Sequence, residues 1–290
     1  MAEKNNDVVL SVKDLHVYFY TNQRCNKVIR GVSFDIKRGR TLCVVGESGC
    51  GKSVTANSIL RLLPELSRIE NGSITYYKED GTEIRLDQLK KNGKEMRKLR
   101  GEDIAIIFQD PMTALNPVYT VGKQIEEMLK EHKKGMTKEE YKAAAIEDLA
   151  DMGIPAPDIR YGEYPHQFSG GMRQRSMIAM GMSCEPKILL ADEPTSMVDA
   201  CSRATILDML LQLRDEIGMT IIFITHDIGL AYYISDTVYI MEHGKFVEFG
   251  KADEVILEPK APYTKRLISD VPKIHEEWDL STVDLLTYQG

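Results

Sequence analysis

Residues 46–53 read Gly-Glu-Ser-Gly-Cys-Gly-Lys-Ser, which fits the phosphate-binding pattern G-x-x-x-x-G-K-S/T at every fixed position. In such a loop the glycines let successive backbone N–H groups converge on phosphate oxygens. We expect the Lys52 ammonium to reach the β- and γ-phosphates of a nucleotide and the Ser53 hydroxyl to ligate Mg²⁺. The predicted phosphate-binding residues are Gly46, Glu47, Ser48, Gly49, Cys50, Gly51, Lys52 and Ser53.

The neighbours of this loop distinguish it from a glycine-rich turn that binds nothing. Thr41–Val45 is a short β-branched, apolar run that predicts a buried strand, and residues 54–63 read as a helix. The helix N-terminus adds partial positive charge behind the loop. That charge and Lys52 could lower the pKa of the Cys50 thiol, although we favour a simpler role for Cys50 as a small residue in a tight loop.

A second chemical signal is a pair of carboxylates at the end of an apolar run. Residues 187–191 predict a strand, and Asp192-Glu193-Pro194 ends it. A strand that delivers an acid beside a phosphate loop can hold Mg²⁺ directly or through water, and we assign this role to Asp192. Glu193 stands one residue on, where it could polarise an attacking water. Taken alone the pair is a weak signal, because a helix-capping acid would also explain it.

The segment Phe168-Ser-Gly-Gly-Met172 is a third and sharper signal, and an Ala- and Met-rich helix follows it. A serine and two glycines at the start of a helix offer a hydroxyl and exposed N–H groups to an anion. Ser169, Gly170 and Gly171 are therefore a second candidate anion-binding group.

Composition limits the classes of function. The chain has 290 residues, 43% hydrophobic and 28% charged, which is typical of a globular protein with a sizeable core. A net charge of −7 and a pI near 5.5 argue against nucleic acid as the main ligand. No apolar run approaches the roughly 20 residues of a membrane span. Residues 1–7 lack an apolar signal region and the five cysteines are scattered, so we expect a cytosolic protein unless a partner carries it to a membrane.

Periodicity predicts the elements that position these groups. Strands are predicted at residues 8–12, 15–20, 31–36, 41–45, 104–108, 187–190, 220–225 and 237–241, with hairpins over 72–86 and 241–249. Helices are predicted at residues 54–63, 88–99, 121–133, 138–152 and 200–217. The later strands alternate with helices, which implies a parallel sheet with helices on its faces.

Together these elements resemble the ATP-binding-cassette (ABC) ATPases. The phosphate loop, the Ser-Gly-Gly signature and the strand with Asp-Glu follow that family's order, as do Gln109 (the Q-loop), Asp199 (the D-loop) and His226 (the switch histidine). The resemblance implies an α/β fold: a phosphate-loop NTPase core with a mainly parallel sheet, an N-terminal antiparallel β subdomain and a helical subdomain. We expect the ATPase domain at residues 1–250, with the helical subdomain inserted at about 118–186, and a C-terminal extension at 251–290.

The resemblance also implies residue roles and a mechanism. Two subunits would face head to tail, with ATP between the phosphate loop of one and the signature of the other. The implied catalytic residues are Glu193 (the general base), His226, Gln109 and Lys52. The implied Mg²⁺ ligands are Ser53, Gln109 and Asp192, and the implied contacts to nucleotide across the dimer come from Ser169, Gly170, Gly171 and Asp199. An aromatic side chain would stack on adenine; we favour Phe19 over Tyr18, and strand alternation puts the two on opposite faces.

Residues 108–117, 165–175 and 261–267 look like the ATPases of dipeptide, oligopeptide and nickel importers. This closer resemblance implies ATP and Mg²⁺ as ligands, two transmembrane permease subunits, a second and non-identical ATPase chain, and indirectly an extracellular solute-binding protein. The chain would then act at the cytoplasmic face of the membrane. Peptide is the first expected cargo, followed by oligosaccharide and nickel. No iron–sulfur cluster is expected, because no cysteine follows Cys201.

Three other functions fit the sequence less well. A phosphate-loop kinase would have no role for the signature or for His226. ABC relatives in DNA repair carry long coiled-coil inserts, and those in translation join two cassettes in one chain, whereas this chain has one cassette and a short insert. A non-catalytic ATP-binding partner subunit is disfavoured by the intact Glu193 and His226.

Overall fold

The computed structural model describes residues 7–21 and 24–270. Their strands are β1 (Val8–Tyr20), β2 (Cys25–Lys37), β3 (Thr41–Val45), β4 (Ser67–Tyr77), β5 (Glu83–Arg85), β6 (Ile104–Ile107), β7 (Ile188–Asp192), β8 (Thr220–Thr225), β9 (Thr237–Glu242) and β10 (Lys245–Lys251). Their helices are α1 (Lys52–Ile59), α2 (Lys94–Glu102), α3 (Pro111–Ala114), α4 (Val121–His132), α5 (Lys138–Asp151), α6 (Pro157–Arg160), α7 (Gly170–Met182), α8 (Ala200–Ile217), α9 (Ile228–Ile234), α10 (Ala252–Leu257) and α11 (Pro262–Ser269). None of these helices is long and apolar enough to cross a membrane. The expectations for residues 1–6 and for the end of the extension, residues 271–290, lie outside the described residues.

The strands form two sheets. One has the order β2-β1-β4-β5 and is antiparallel throughout. The other has the order β10-β9-β3-β8-β7-β6 and is parallel except for the pair β9–β10. The predicted fold class is therefore confirmed: an α/β protein with a mainly parallel sheet and an N-terminal antiparallel sheet.

Parallel pairing brings the carboxyl ends of β3, β8, β7 and β6 to one edge of the larger sheet. The residues that follow these strands include the phosphate loop, His226, Glu193 and Gln109 respectively. Open α/β sheets bind their ligands at this kind of edge. The topology thus collects the predicted catalytic residues in one place.

Alternate residues of the parallel strands face two hydrophobic cores, one on each side of the sheet. On β3, Cys43 and Val45 pack in the core shared with the long helices, whereas Leu42 and Val44 pack in the core shared with the antiparallel sheet. All residues of β3, β7 and β8 are buried. Burial on both faces explains why these strands appear in the sequence as continuous apolar runs.

Helices α3 to α7 lie between β6 and β7 as a helical insert. Its helix α5 begins with a capping box, in which the Thr137 hydroxyl accepts a hydrogen bond from the Glu140 N–H and the Glu140 carboxylate accepts one from the Thr137 N–H. The helix ends at Asp151, just before Gly153, whose φ is +65°. Glycine is favoured at such a helix end because it adopts a left-handed conformation without strain.

The bounds of several elements differ from the prediction. α2 begins at Lys94 and not at residue 88, β4 begins at Ser67 and not at residue 72, and α1 ends at Ile59 and not at residue 63. β1 is one strand of 13 residues where two were predicted. It bends at Asp14, with φ +46°, and its pairing shifts register there, which interrupts the alternation. β2 begins at Cys25, earlier than predicted. Its first residues are exposed and give no apolar signal, so the sequence pattern did not reveal them. α1 begins at Lys52, inside the phosphate-binding segment 46–53, and not at residue 54.

The chain after β10 packs against the rest of the protein more closely than its weak periodicity indicates. Val255 on α10 and Tyr263 on α11 are buried in the core that includes the helical insert. The carboxylate of Glu248 accepts hydrogen bonds from the N–H groups of Lys260 and Ala261, at 2.8 and 3.0 Å, and so holds the start of α11 on β10.

The turn between β9 and β10 approaches β2 so closely that only glycine fits. Gly244 has φ +78°, and a Cβ there would lie 2.0 Å from the carbonyl oxygen of Val28. Gly81, in the β4–β5 turn, has φ +83°, but no atom of the described residues beyond its chain neighbours lies within 4 Å of its Cβ position. We predict that Gly244→Ala lowers the free energy of unfolding in urea by about 3 kcal/mol, from backbone strain plus overpacking. The control Gly81→Ala carries only the strain of about 1 kcal/mol, and equal losses in the two variants would contradict the account.

Candidate active site

The phosphate loop connects β3 to α1. Gly49 and Gly51 have φ values of +79° and +115°, which side-chain-bearing residues rarely adopt. Glu47, Ser48 and Gly49 are exposed at the tip of the loop. Gly51 is the N-cap of α1 and has no side chain with which to cap this end of the helix. The first N–H groups of α1 can therefore donate to an anion held in the loop.

The β9–β10 turn supports the loop from behind. A Cβ on Gly46 would lie 2.2 Å from the carbonyl oxygen of Met241, and the Gly244 N–H donates to the Cys50 carbonyl at 2.8 Å. Burial raises the pKa of the Cys50 thiol although Lys52 is near. The possibility of a lowered thiol pKa is thus wrong, because desolvation outweighs the lysine charge, and Cys50 acts as a small buried residue.

Lys52 is already placed across the loop. Its side chain is 5% exposed, and its ammonium donates to the carbonyls of Gly46 at 2.7 Å and Glu47 at 2.9 Å. The same nitrogen lies 3.9 Å from a carboxylate oxygen of Glu193. A buried ammonium needs such partners, and phosphate oxygens could take the place of the two carbonyls.

Ser53 and Asp192 offer oxygen ligands side by side. The Ser53 hydroxyl donates to Asp192 Oδ1 at 3.0 Å. Burial raises the pKa of the Asp192 carboxyl, and the hydrogen bond from Ser53 opposes this shift. Gln109 uses its amide N–H on Glu193, at 2.9 Å, which leaves its amide oxygen as an acceptor. These three hard oxygen donors fit the preference of Mg²⁺.

Glu193 is the centre on which the neighbouring loops converge. Besides Gln109 and Lys52, the ring nitrogen Nδ1 of His226 lies 3.2 Å from its carboxylate, which is only 13% exposed. The backbone of Glu193 has φ +46°, an uncommon conformation for a non-glycine residue. Its N–H donates to the Ile224 carbonyl at 2.9 Å and anchors this conformation to β8. Strained residues of this kind concentrate at functional sites.

His226 stands directly after β8 with 62% of its side chain exposed. The next residue, Asp227, begins α9 as its N-cap and accepts the N–H groups of Gly229 and Leu230 at 2.9 and 3.2 Å. The strand therefore ends and the helix begins within two residues, which fixes the turn that presents His226.

The Ser-Gly-Gly signature forms a second group, beside the loop of Asp199. Ser169 is exposed and its hydroxyl caps α7, whose first residue is Gly170. A Cβ on Gly171 would lie 2.6 Å from the Ser202 hydroxyl. The Asp199 carboxylate accepts from the Ser202 N–H at 2.9 Å and from its hydroxyl at 2.8 Å. The signature and Asp199 are thus joined through Ser202.

The two aromatic candidates for adenine stacking lie on β1. Phe19 packs against the core between the two sheets. The Lys27 ammonium lies over the ring of Tyr18, 5.3 Å from its centroid. Both rings are partly exposed, and the choice of Phe19 stays a prediction.

Sequence reasoning missed two residues that contact the phosphate loop, Tyr263 and Arg266 on α11. Pro262 is a signal for the start of that helix. The contact itself joins Glu47 to Tyr263 across 216 residues of sequence, and no local pattern predicts it.

Comparison with known proteins agrees with this arrangement. The family model described as ABC transporter matches residues 29–196. The dipeptide transport ATP-binding protein DppD of Bacillus subtilis is 45% identical over 283 residues, covering 97% of this chain and 81% of that protein. The oligopeptide transport ATP-binding protein OppD of the same organism is 44% identical over 267 residues, covering 92% of this chain and 72% of that protein.

Solved structures are similar in fold. The dimeric ATP-binding cassette MJ0796, in a post-hydrolysis state bound to ADP and Pi, superposes with a TM-score of 0.73 at 27% identity, covering 84% of this chain and 98% of that chain. The protein cbiO1 from Clostridium perfringens, part of the ABC transporter complex cbiONQ, gives a TM-score of 0.71 at 28% identity, covering 87% of this chain and 92% of that chain. The motifs, the fold and these relatives lead to one conclusion: the chain belongs to the ABC transporter family and is one of its ATPases.

Proposed function

We propose that this chain is the ATP-hydrolysing subunit of an ABC importer that takes up peptides. The cargo class is supported by the names of the relatives, which refer to dipeptide and oligopeptide transport. The observation that carries the catalytic part is the convergence of Lys52, Gln109 and His226 on the carboxylate of Glu193. A protein that only binds nucleotide has no need of this convergence.

In this proposal the loop and the side chains around Glu193 divide the chemistry among them. The loop N–H groups and Lys52 hold the phosphates of ATP and stabilise the charge that develops on them. Glu193 accepts the proton of the attacking water, as the water oxygen bonds to the γ-phosphorus and the bond to the bridging oxygen breaks. Gln109 and His226 hold and orient the Glu193 carboxylate in the present arrangement.

Mg²⁺ is the proposed cofactor, and Ser53, Asp192 and Gln109 are its proposed ligands. The ion would neutralise charge on the β- and γ-phosphate oxygens. Asp192 can serve only when ionised, and burial raises the pKa of its carboxyl. A bound divalent cation would supply positive charge that favours the ionised Asp192 carboxylate.

The nucleotide site would be completed by a second ATPase chain. Ser169, which is exposed, and Gly171 stand at the N-terminus of α7, beside Asp199, whose carboxylate caps α8. Head-to-tail pairing would place these three residues on ATP held by the partner. The similar cassette MJ0796 is dimeric. We propose that the second chain is a non-identical paralogue, in keeping with the importer group.

The segment after Gln109 is the proposed contact with the two transmembrane permease subunits. It exposes three large apolar side chains, Met112, Val118 and Tyr119, at 50, 71 and 53%. It also connects Gln109 to helices α4 to α7 of the helical insert, so a permease bound here would respond to the nucleotide site. This contact would hold the chain at the cytoplasmic face of the membrane, with an extracellular solute-binding protein acting only through the permease.

Two alternatives stay open within the family. Uptake of oligosaccharide or nickel would use the same ATPase geometry. A non-catalytic partner subunit would bind ATP without hydrolysing it, and the intact surroundings of Glu193 argue against this role.

The role of Glu193 as general base can be tested by removing its charge. Glu193→Gln keeps the size of the side chain but cannot accept a proton at neutral pH, so ATP binding is retained and single-turnover hydrolysis falls at least ~100-fold. The matched control Glu216→Gln, at the exposed end of α8, should leave binding and hydrolysis unchanged. Near-normal hydrolysis by the Glu193→Gln chain would contradict the assignment of Glu193 as the general base.

The role of Asp192 as a Mg²⁺ ligand can be tested in the same way. Asp192→Asn removes the charge next to Ser53, so the Mg²⁺ concentration that gives half-maximal hydrolysis should rise at least ~10-fold. The control Asp208→Asn changes an exposed aspartate on α8 that bonds Tyr233 and should leave that concentration unchanged. Titration of ATPase activity with Mg²⁺ checks both variants, and an unshifted midpoint in Asp192→Asn would refute this ligand.

A further inference from the structure

Helix α11 reaches back to the phosphate loop. The backbone N–H of Glu47 donates to the hydroxyl oxygen of Tyr263 at 3.3 Å. Tyr263 is 8% exposed, so the acceptor of this part-buried hydrogen bond is largely shielded from water. A residue near the end of the described chain therefore fixes the backbone of the second residue of the loop.

The side chain of the same loop residue is held as well. The Arg266 guanidinium donates to Glu47 Oε1 at 3.0 Å, and its central carbon lies 5.2 Å from the centroid of the Tyr263 ring. Positions 263 and 266 are one turn apart and so share a face of α11. One helix face thus holds both the main chain and the side chain of Glu47.

The helix itself is firmly attached. The Glu248 carboxylate on β10 accepts the N–H groups of Lys260 and Ala261, and Thr264 is fully buried. β10 follows directly from the turn whose Gly244 donates to the Cys50 carbonyl. The loop is therefore supported at Cys50 by the turn and at Glu47 by α11.

ATP binding would make the support at Glu47 more important. In the structure, the Lys52 ammonium donates to the carbonyls of Gly46 and Glu47. If Lys52 turns to the phosphates, these carbonyls lose that partner, while the Tyr263 and Arg266 contacts to Glu47 use other atoms and persist. The ion pair is more than half exposed on both sides, so it contributes little alone, and the buried Tyr263 contact is the stronger part.

We propose that Tyr263 and Arg266 are positioning residues for ATP binding, which hold Glu47 so that the phosphate loop keeps its shape when Lys52 turns to the nucleotide. The inference rests on the proposed role of residues 46–53 in binding phosphates. It makes α11 a part of the nucleotide site, reached from outside the segment that carries the sequence motifs.

The test measures ATP affinity by calorimetry, and KM and kcat of hydrolysis, in the full chain. Tyr263→Phe removes one hydroxyl and Arg266→Gln removes one charge. We expect the double variant to weaken ATP binding and raise KM by about 5- to 10-fold, the scale of a lost hydrogen bond plus a weak ion pair, with kcat within about two-fold. Matched controls are Tyr233→Phe, whose hydroxyl bonds Asp208, and Lys265→Gln, exposed on the same helix; both should match the wild-type chain.

Two further readouts separate positioning from simple loss of stability. Arg266→Lys keeps the charge and should recover part of the affinity lost in Arg266→Gln, and the thermal midpoint without nucleotide should differ little between Arg266→Gln and Lys265→Gln. A double variant with wild-type ATP affinity and KM would overturn the inference, whatever its thermal midpoint. Lys52→Ala tests the underlying role of the loop: if it binds ATP as tightly as the wild-type chain, the proposed function fails, and not only the role of α11.

Discussion

The parallel hydrogen-bond ladder that joins β3, β8, β7 and β6 is the constraint on which the site depends. Neighbouring strands lie about 4.8 Å apart, so side chains that follow adjacent strands can meet. Glu193 follows β7, between His226 after β8 and Gln109 after β6, and Lys52 arrives from the loop after β3. The order of the strands therefore decides which groups reach the carboxylate.

The ladder sets positions at the sheet edge, but it does not shape the phosphate loop. That shape depends on close backbone approaches, at Gly46 to the Met241 carbonyl and at Gly244 to the Val28 carbonyl. Both approaches involve β9 or the turn after it, which ties the antiparallel β2 to the loop. The uncommon backbone of Glu193, at φ +46°, is held by a backbone hydrogen bond to Ile224 on β8. Rigid surroundings thus support the unusual conformations that the chemistry needs.

The sequence predicted best those elements that are buried on both faces or strongly periodic. β3, β8 and α8 have the predicted bounds, because continuous apolar runs and helical spacing leave few alternatives. The early half of β2 was missed because its residues are exposed and only tertiary pairing makes them a strand. Motif spacing identified Lys52, Glu193 and His226, but their mutual distances depend on strand order. The contact of Tyr263 with Glu47 is tertiary and has no local signal.

The most direct measurement of the central claim is a crystal structure of the Glu193→Gln chain with ATP and Mg²⁺. The account predicts the phosphates within hydrogen-bond distance of the N–H groups of residues 46–53, the Lys52 ammonium moved from the loop carbonyls to the phosphates, and Mg²⁺ beside Ser53 and Asp192. A nucleotide bound elsewhere, or a Lys52 that still bonds the carbonyls of Gly46 and Glu47 with ATP present, would contradict it.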